Sequence, residues 1–164
     1  MKLLLFILFG CLSTPLLAND GGQLYSLHCS ACHGNDGKGG PDGIFPPLAN
    51  SEWVNGDAKR SILIVLYGLD GPINVAGKAY NLTKPAQGDH LTDDKIAQIL
   101  TYVRSSWGNA ESAVTVDEVK AARDSNVARK KPWRAGELGN VNPQPLGNSA
   151  ASGNSAPLEK NCSY

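Results

Sequence analysis

Apolar side chains recur at helical spacing in three stretches of the chain, with glycines and prolines punctuating the ground between them. Leu24, Tyr25 and Leu27 mark the first, which predicts a short helix over residues 21–33. Ile62, Leu63, Val65 and Leu66 form a stripe over residues 57–67, where Asp57 can cap the start and Gly68 the end. The third stretch follows Leu91. Thr92 is its expected N-cap, Asp93 and Asp94 favour the positive end of the helix dipole, and Ile96, Ile99, Leu100 and Val103 share one face before Gly108. Tyr102 and Trp107 add core area to this helix or pack the edge of a bound group. Residues 34–43 are a glycine-rich loop without periodicity, and Pro46-Pro47 cannot lie in a helix interior. Residues 71–81 read as irregular or short extended chain with a tight turn at Gly77, and residues 116–123 suit one more short helix. From Gly139 onward Asn, Pro, Gly and Ser dominate, which predicts a flexible tail.

Composition excludes some functions. Over 164 residues, 15 Lys and Arg balance 15 Asp and Glu, which argues against a nucleic-acid or anionic-membrane binder. The cluster Arg129-Lys130-Lys131 with Arg134 is local and reads as solvated surface. At the start, Lys2 precedes a mostly apolar run over residues 3–17, and the chain turns polar at Asn19 and Asp20. That is the form of an export signal over residues 1–18, cut after Ala18. The run is shorter than the ~20 apolar residues of a bilayer span, so no membrane span is expected once the signal is removed. Leu8-Phe9-Gly10-Cys11 offers a lipid anchor at Cys11 as the lesser alternative. Of the four cysteines, Cys11 and Cys162 sit near opposite termini, so the set is not a disulfide framework. Cys162 could join two chains in an oxidising compartment.

Candidate chemistry concentrates in Cys29-Ser30-Ala31-Cys32-His33. C-x-x-C-H is the attachment signature of c-type haem. Two thiols one helical turn apart can add to the two vinyl groups on one porphyrin edge, and the next imidazole then lies beneath the iron as proximal ligand. A thioredoxin-like pair would need a surrounding βαβ pattern, and a structural zinc site a second Cys/His pair at short spacing. Neither follows. His28 is a helix-surface or haem-edge residue, because one side of the iron takes a single axial group. A phosphate-cradling role for the glycine-rich loop fails, since no strand precedes it and no Gly-Lys-Ser/Thr ends it. The Pro46 carbonyl is the candidate acceptor for the other nitrogen of His33, a contact that would fix the imidazole tautomer.

A helix entering Cys29-Ser30-Ala31-Cys32-His33-Gly34, a proline-leucine turn and a closing helix over residues 94–107 together resemble a class I c-type cytochrome. The chain is most similar to single-haem cytochromes associated with bacterial periplasmic dehydrogenases. Gly68-Leu69-Asp70-Gly71-Pro72-Ile73 and Leu100-Thr101-Tyr102-Val103-Arg104 carry that part of the likeness, which covers residues 21–124. The resemblance implies an all-α fold of three to four helices wrapped round one haem c, covalently attached through Cys29 and Cys32. It also implies a closing helix crossing the first, with Ile99 and Tyr102 against Gly22 and Tyr25. The organisation then reads as a signal over 1–18, a cytochrome domain over 19–108 and an extension over 109–164. The implied role is an exported, periplasmic electron carrier rather than an enzyme, with a dehydrogenase and an oxidase or reductase as redox partners. It would act alone or as a subunit of a larger oxidoreductase.

One departure from the family pattern matters. Such cytochromes usually place a methionine across the iron, often in Met-Pro-Ala before the closing helix, and here that stretch is Lys84-Pro85-Ala86. The chain's one methionine is Met1. Three replacements compete: a neutral Lys84 amine, an open position taking water or a small ligand, or His90. An open or displaceable position would make the protein a haem-based sensor or ligand binder.

Overall fold

The computed structural model describes residues 20–139; the stretch expected to be an export signal, Cys11, Cys162 and the expected tail beyond Gly139 lie outside them. The helix expected over 21–33 is two helices, α1 (Gly21–His28) and α2 (Ser30–His33). The break falls at Cys29, whose φ of −127° leaves the helical range. Its N–H still bonds the Tyr25 carbonyl at 2.8 Å, and its carbonyl accepts the His33 N–H at 3.0 Å. The chain therefore changes direction at the first thiol without losing backbone bonds.

α3 (Ala58–Tyr67) starts where Asp57 accepts the Lys59 N–H at 2.9 Å. It ends at Gly68, whose φ is +84°. A Cβ there would lie 2.5 Å from the Lys84 carbonyl oxygen, so a glycine lets this segment run alongside residue 84. The stretch expected to be irregular or extended is a hairpin, β1 (Pro72–Val75) antiparallel to β2 (Lys78–Asn81), with Ile73 opposite Tyr80. Ala76 and Gly77 both have positive φ, 50° and 77°, as a type I′ turn requires. This adds a small sheet to an otherwise helical fold.

α4 (Asp93–Arg104) is capped by the Thr92 hydroxyl and stops short of Trp107. It crosses α1 where Gly22 leaves room for Tyr102; a Cβ on Gly22 would lie 3.2 Å from that ring. Tyr25, Tyr102 and Trp107 close the crossing, with Tyr25 centroids 5.6 Å and 4.9 Å from the other two. Ile62, Leu66, Ile96, Ile99, Leu100 and Val103 fill the main core, and Trp53, Leu69, Val75 and Tyr80 form a second cluster under the hairpin.

The chain after Gly108 turns back onto these helices. The Thr101 hydroxyl accepts the Val114 N–H at 2.9 Å and donates to the Val114 carbonyl at 3.2 Å. α5 (Val116–Asp124) opens on a reciprocal capping box between Thr115 and Glu118. Val114, Val119 and Ala122 then join the main core. Arg104, only 1% exposed, donates to the carbonyls of Val54, Gly56 and Ser112 at 2.7–3.0 Å. The basic cluster expected to be solvated surface is divided. Arg129 stacks 3.4 Å from the Trp133 ring centre and bonds Glu137, whereas Lys130, Lys131 and Arg134 are exposed. A planar guanidinium can cover an indole face and still reach a carboxylate, which explains the exception.

Candidate functional site

The kink at Cys29 presents two thiols beside one another's turn, Cys29 half-buried and Cys32 exposed, and both are free. His33 is half-buried at the end of α2, its Nδ1 3.1 Å from the Pro46 carbonyl oxygen. A carbonyl only accepts, so Nδ1 carries the proton and Nε2 keeps its lone pair. Burial holds the His33 pKa below the usual histidine range, with the Pro46 bond opposing and the Lys84 charge assisting. Burial thus favours the neutral imidazole.

Several groups keep this side in shape. The Tyr25 hydroxyl donates to the Gly34 carbonyl at 2.7 Å. The Gly37 carbonyl accepts the N–H groups of Leu48 and Ala49 at 2.7 and 3.0 Å, closing the loop that carries Pro46. Gly37 has φ +68°, and a Cβ on it would meet the Trp107 ring at 2.5 Å. The Asn109 side chain donates to the Leu48 carbonyl at 2.9 Å and to that of Val103 at 2.8 Å.

Lys84 comes from the far side of the chain, held by a backbone bridge to Leu69. Burial pushes its ammonium down to about 8, against the opposing pull of the Cys29 and Cys32 sulfurs. Burial likewise raises the Cys29 thiol, and the Lys84 charge acts against that rise. Lys84 is therefore within electrostatic reach of Cys29, Cys32 and His33. Its Nζ donates to the Pro85 carbonyl at 3.1 Å. His90 does not join this group; it is exposed beside the start of α4. His28 is exposed as well.

Residues 18–107 match the Cytochrome c family. The chain belongs to the cytochrome c family. It is 38% identical over 132 residues to cytochrome c-552 of Thermus thermophilus, covering 74% of this chain and 84% of that protein. It is 37% identical over 118 residues to the fructose dehydrogenase cytochrome subunit of Gluconobacter japonicus, covering 68% of this chain. A third relative, the gluconate 2-dehydrogenase cytochrome c subunit of Pantoea cypripedii, is 34% identical over 115 residues, or 66% of this chain. The chain spans 23% and 25% of the length of these two dehydrogenase subunits. The cytochrome fold is helix-rich, as seen here, and its cofactor is covalently attached haem c, one of which suits a domain of this size. The protein is an electron-carrying c-type cytochrome. No helix among the described residues is long and apolar enough to cross a membrane.

The donor set fits haem c: two free thiols, a neutral imidazole with Nε2 unprotonated, and an amine whose proton burial has loosened. Sequence reasoning named these residues as candidates, and it missed the side chains that hold the segments carrying them. Asn109, Arg123 and Trp133 all lie past the last strong apolar stripe. The short helix expected over residues 116–123 and its Thr115/Glu118 capping-box pattern signalled that part of the chain there is ordered.

Proposed function

We propose that this cytochrome is an exported single-haem carrier working between a periplasmic dehydrogenase and a terminal oxidase or reductase. In this reading Cys29 and Cys32 would hold the haem by thioether links, and His33 Nε2 and Lys84 Nζ would be the donors to its iron. The observation that supports the ligand set is the shared electrostatic neighbourhood of Lys84 with Cys29, Cys32 and His33, in a chain whose one methionine is Met1. Bound haem supplies one-electron chemistry at its iron. The chain holds the donors and limits water. Donation from His33 Nδ1 to Pro46 fixes the ring and strengthens Nε2 as a donor. Lys84 must present a neutral amine, a form that burial favours. An amine favours the oxidised iron more than a thioether does, so the potential lies below that of a His/Met pair. Export is supported by Lys2 and the apolar residues after it, and the dehydrogenase partner by the relatives' names.

Absorption and magnetic-resonance spectra of the haem-loaded protein test this. A six-coordinate spectrum, unchanged by carbon monoxide and lost in Lys84→Ala, is expected. An unaltered spectrum in Lys84→Ala overturns the Lys84 assignment, and a mature product without covalent haem overturns the whole reading. A second reading is a ligand-binding or sensor protein with a displaceable distal donor. It is favoured by the Lys84 Nζ bond to its own neighbour's carbonyl at 3.1 Å. Rapid carbon monoxide binding by the ferrous protein would decide for it.

A further inference from the structure

Contacts made by Arg123 and Trp133 reach the loop around residues 84–91, one directly and one through Leu69. Trp133 donates its N–H to the Gly68 carbonyl at 3.1 Å, and its carbonyl accepts the Asp70 N–H at 2.8 Å. On its other edge Leu69 exchanges two bonds with Lys84, at 3.1 and 2.8 Å. Segments around residues 133, 69 and 84 thus form one short ladder, with Leu69 as the middle rung. Next along, Arg123 reaches over from α5. Its guanidinium donates to the carbonyls of Gly88 and Leu91 at 2.8 and 3.2 Å and to the Asp93 carboxylate at 2.8 Å. The Tyr67 hydroxyl donates to the Arg123 carbonyl at 3.1 Å, fixing α5 against α3. Arg129, stacked on Trp133 and paired with Glu137, holds the outer segment in place.

We propose that residues 115–139 act as a clamp on the distal loop, residues 84–91, with Arg123 and Trp133 as its positioning residues. This goes beyond the carrier reading and holds whichever donor occupies the distal side. A loop without its own ladder opens with a free energy set by the bonds that tie it elsewhere. Residues 84–91 bond outward at several points: Lys84 to Leu69, Gln87 to Val65, Gly88 to Leu66, and the Gly88 and Leu91 carbonyls to Arg123. The guanidinium is suited to this because its rigid fork serves three acceptors at once, which a lysine ammonium cannot do in the same geometry.

Native-state hydrogen exchange on the haem-loaded protein tests the clamp, with imidazole binding to the ferric form as a second readout. In Arg123→Gln the amides of Gln87 and Gly88 should exchange at least about tenfold faster, while those of Gly39 and Leu48 on the opposite side keep their rates. Arg123→Lys should not restore protection. A chain ended after Asn126 keeps α5 and loses Trp133, and it should release the Leu69 and Lys84 amides in the same selective way. Imidazole should bind faster in both variants, and a chain ended after Gly139 should match the full chain. A uniform rise on both sides would mean that the extension adds only global stability and would overturn the proposal. So would unchanged distal amides in Arg123→Gln, or a release already complete in the chain ended after Gly139. Because Arg123→Gln leaves Lys84 in place and is read against the Gly39 and Leu48 amides, whereas the Lys84 assignment is read from the Lys84→Ala spectrum, failure of the one stays separate from failure of the other.

Discussion

On the His33 side, the hydrogen bonds of the haem-motif helix itself are made to close neighbours in the chain, with Trp107 and Asn109 buttressing the loop behind them. The ring finds Pro46 across thirteen residues, and Tyr25 finds Gly34 across nine. On the Lys84 side a nearby partner, Leu69, is itself backed from far along the sequence by Trp133, and Arg123 of α5 holds the loop beyond Lys84. The first arrangement can form as a local unit once α1 meets α4. The second is complete only with the bonds that Arg123 and Trp133 bring from the extension. The difference teaches that attachment and fine positioning of the distal donor are separable properties of this fold.

The largest effect that separates the two sides should come from the thiols. Replacing both, as Cys29→Ala with Cys32→Ala, should abolish covalent haem, read as loss of haem staining on a denaturing gel. The distal bonds around Lys84 and Arg123 should not rescue it. Next is Arg104→Ala, which leaves the Val54, Gly56 and Ser112 carbonyls without their donor. A loss of about 3–5 kcal/mol is expected in denaturant unfolding, because buried partners of a charged group go unsatisfied. Both sides should fail together, since Arg104 ties α4 to the loop before α3 and to the extension alike. Gly37→Ala should be smaller and one-sided, about 2 kcal/mol, from a positive φ and a clash with Trp107. It should loosen the Gly39 and Leu48 amides before those of Lys84.

The smallest effect is a pH dependence on the distal side. Hydrogen bonds from the Thr115 backbone and hydroxyl hold the Glu118 carboxyl below its ordinary value. Its folded-state pKa is therefore lower than its unfolded one. The contribution is fully present above the unfolded value, about 4.3, and fades as pH falls through the folded value. Glu118→Gln should flatten that part of the acid limb in denaturant midpoints, by less than about 1 kcal/mol for a surface capping box.

The same contrast explains how much was legible in the sequence. The helices, the haem motif and the Pro46 contact rest on periodicity, spacing and a rigid dipeptide, all readable over a dozen residues or so. Asp57 and Thr92 announced their helices because capping is a property of a few adjacent positions. The kink at Cys29 was not legible, since the apolar spacing runs on through it. Nor was the Leu69 ladder, where single residues from three distant segments meet without forming full strands. Arg129 looked like one charge in a basic run, and only the fold shows it lying on Trp133.

The Thr101 pairing with Val114 carries a practical lesson for modular engineering. The match to the family's own pattern ends at residue 107, although relatives match a longer share of the chain, and that border invites a cut there when the cytochrome is fused to a new enzyme or electrode-binding peptide. Such a cassette would strip Thr101 and Arg104 of partners and bare the face that Val119 covers. The family pattern marks one border on this molecule and cohesion marks another, and a graft that is meant to hold its shape has to follow the second.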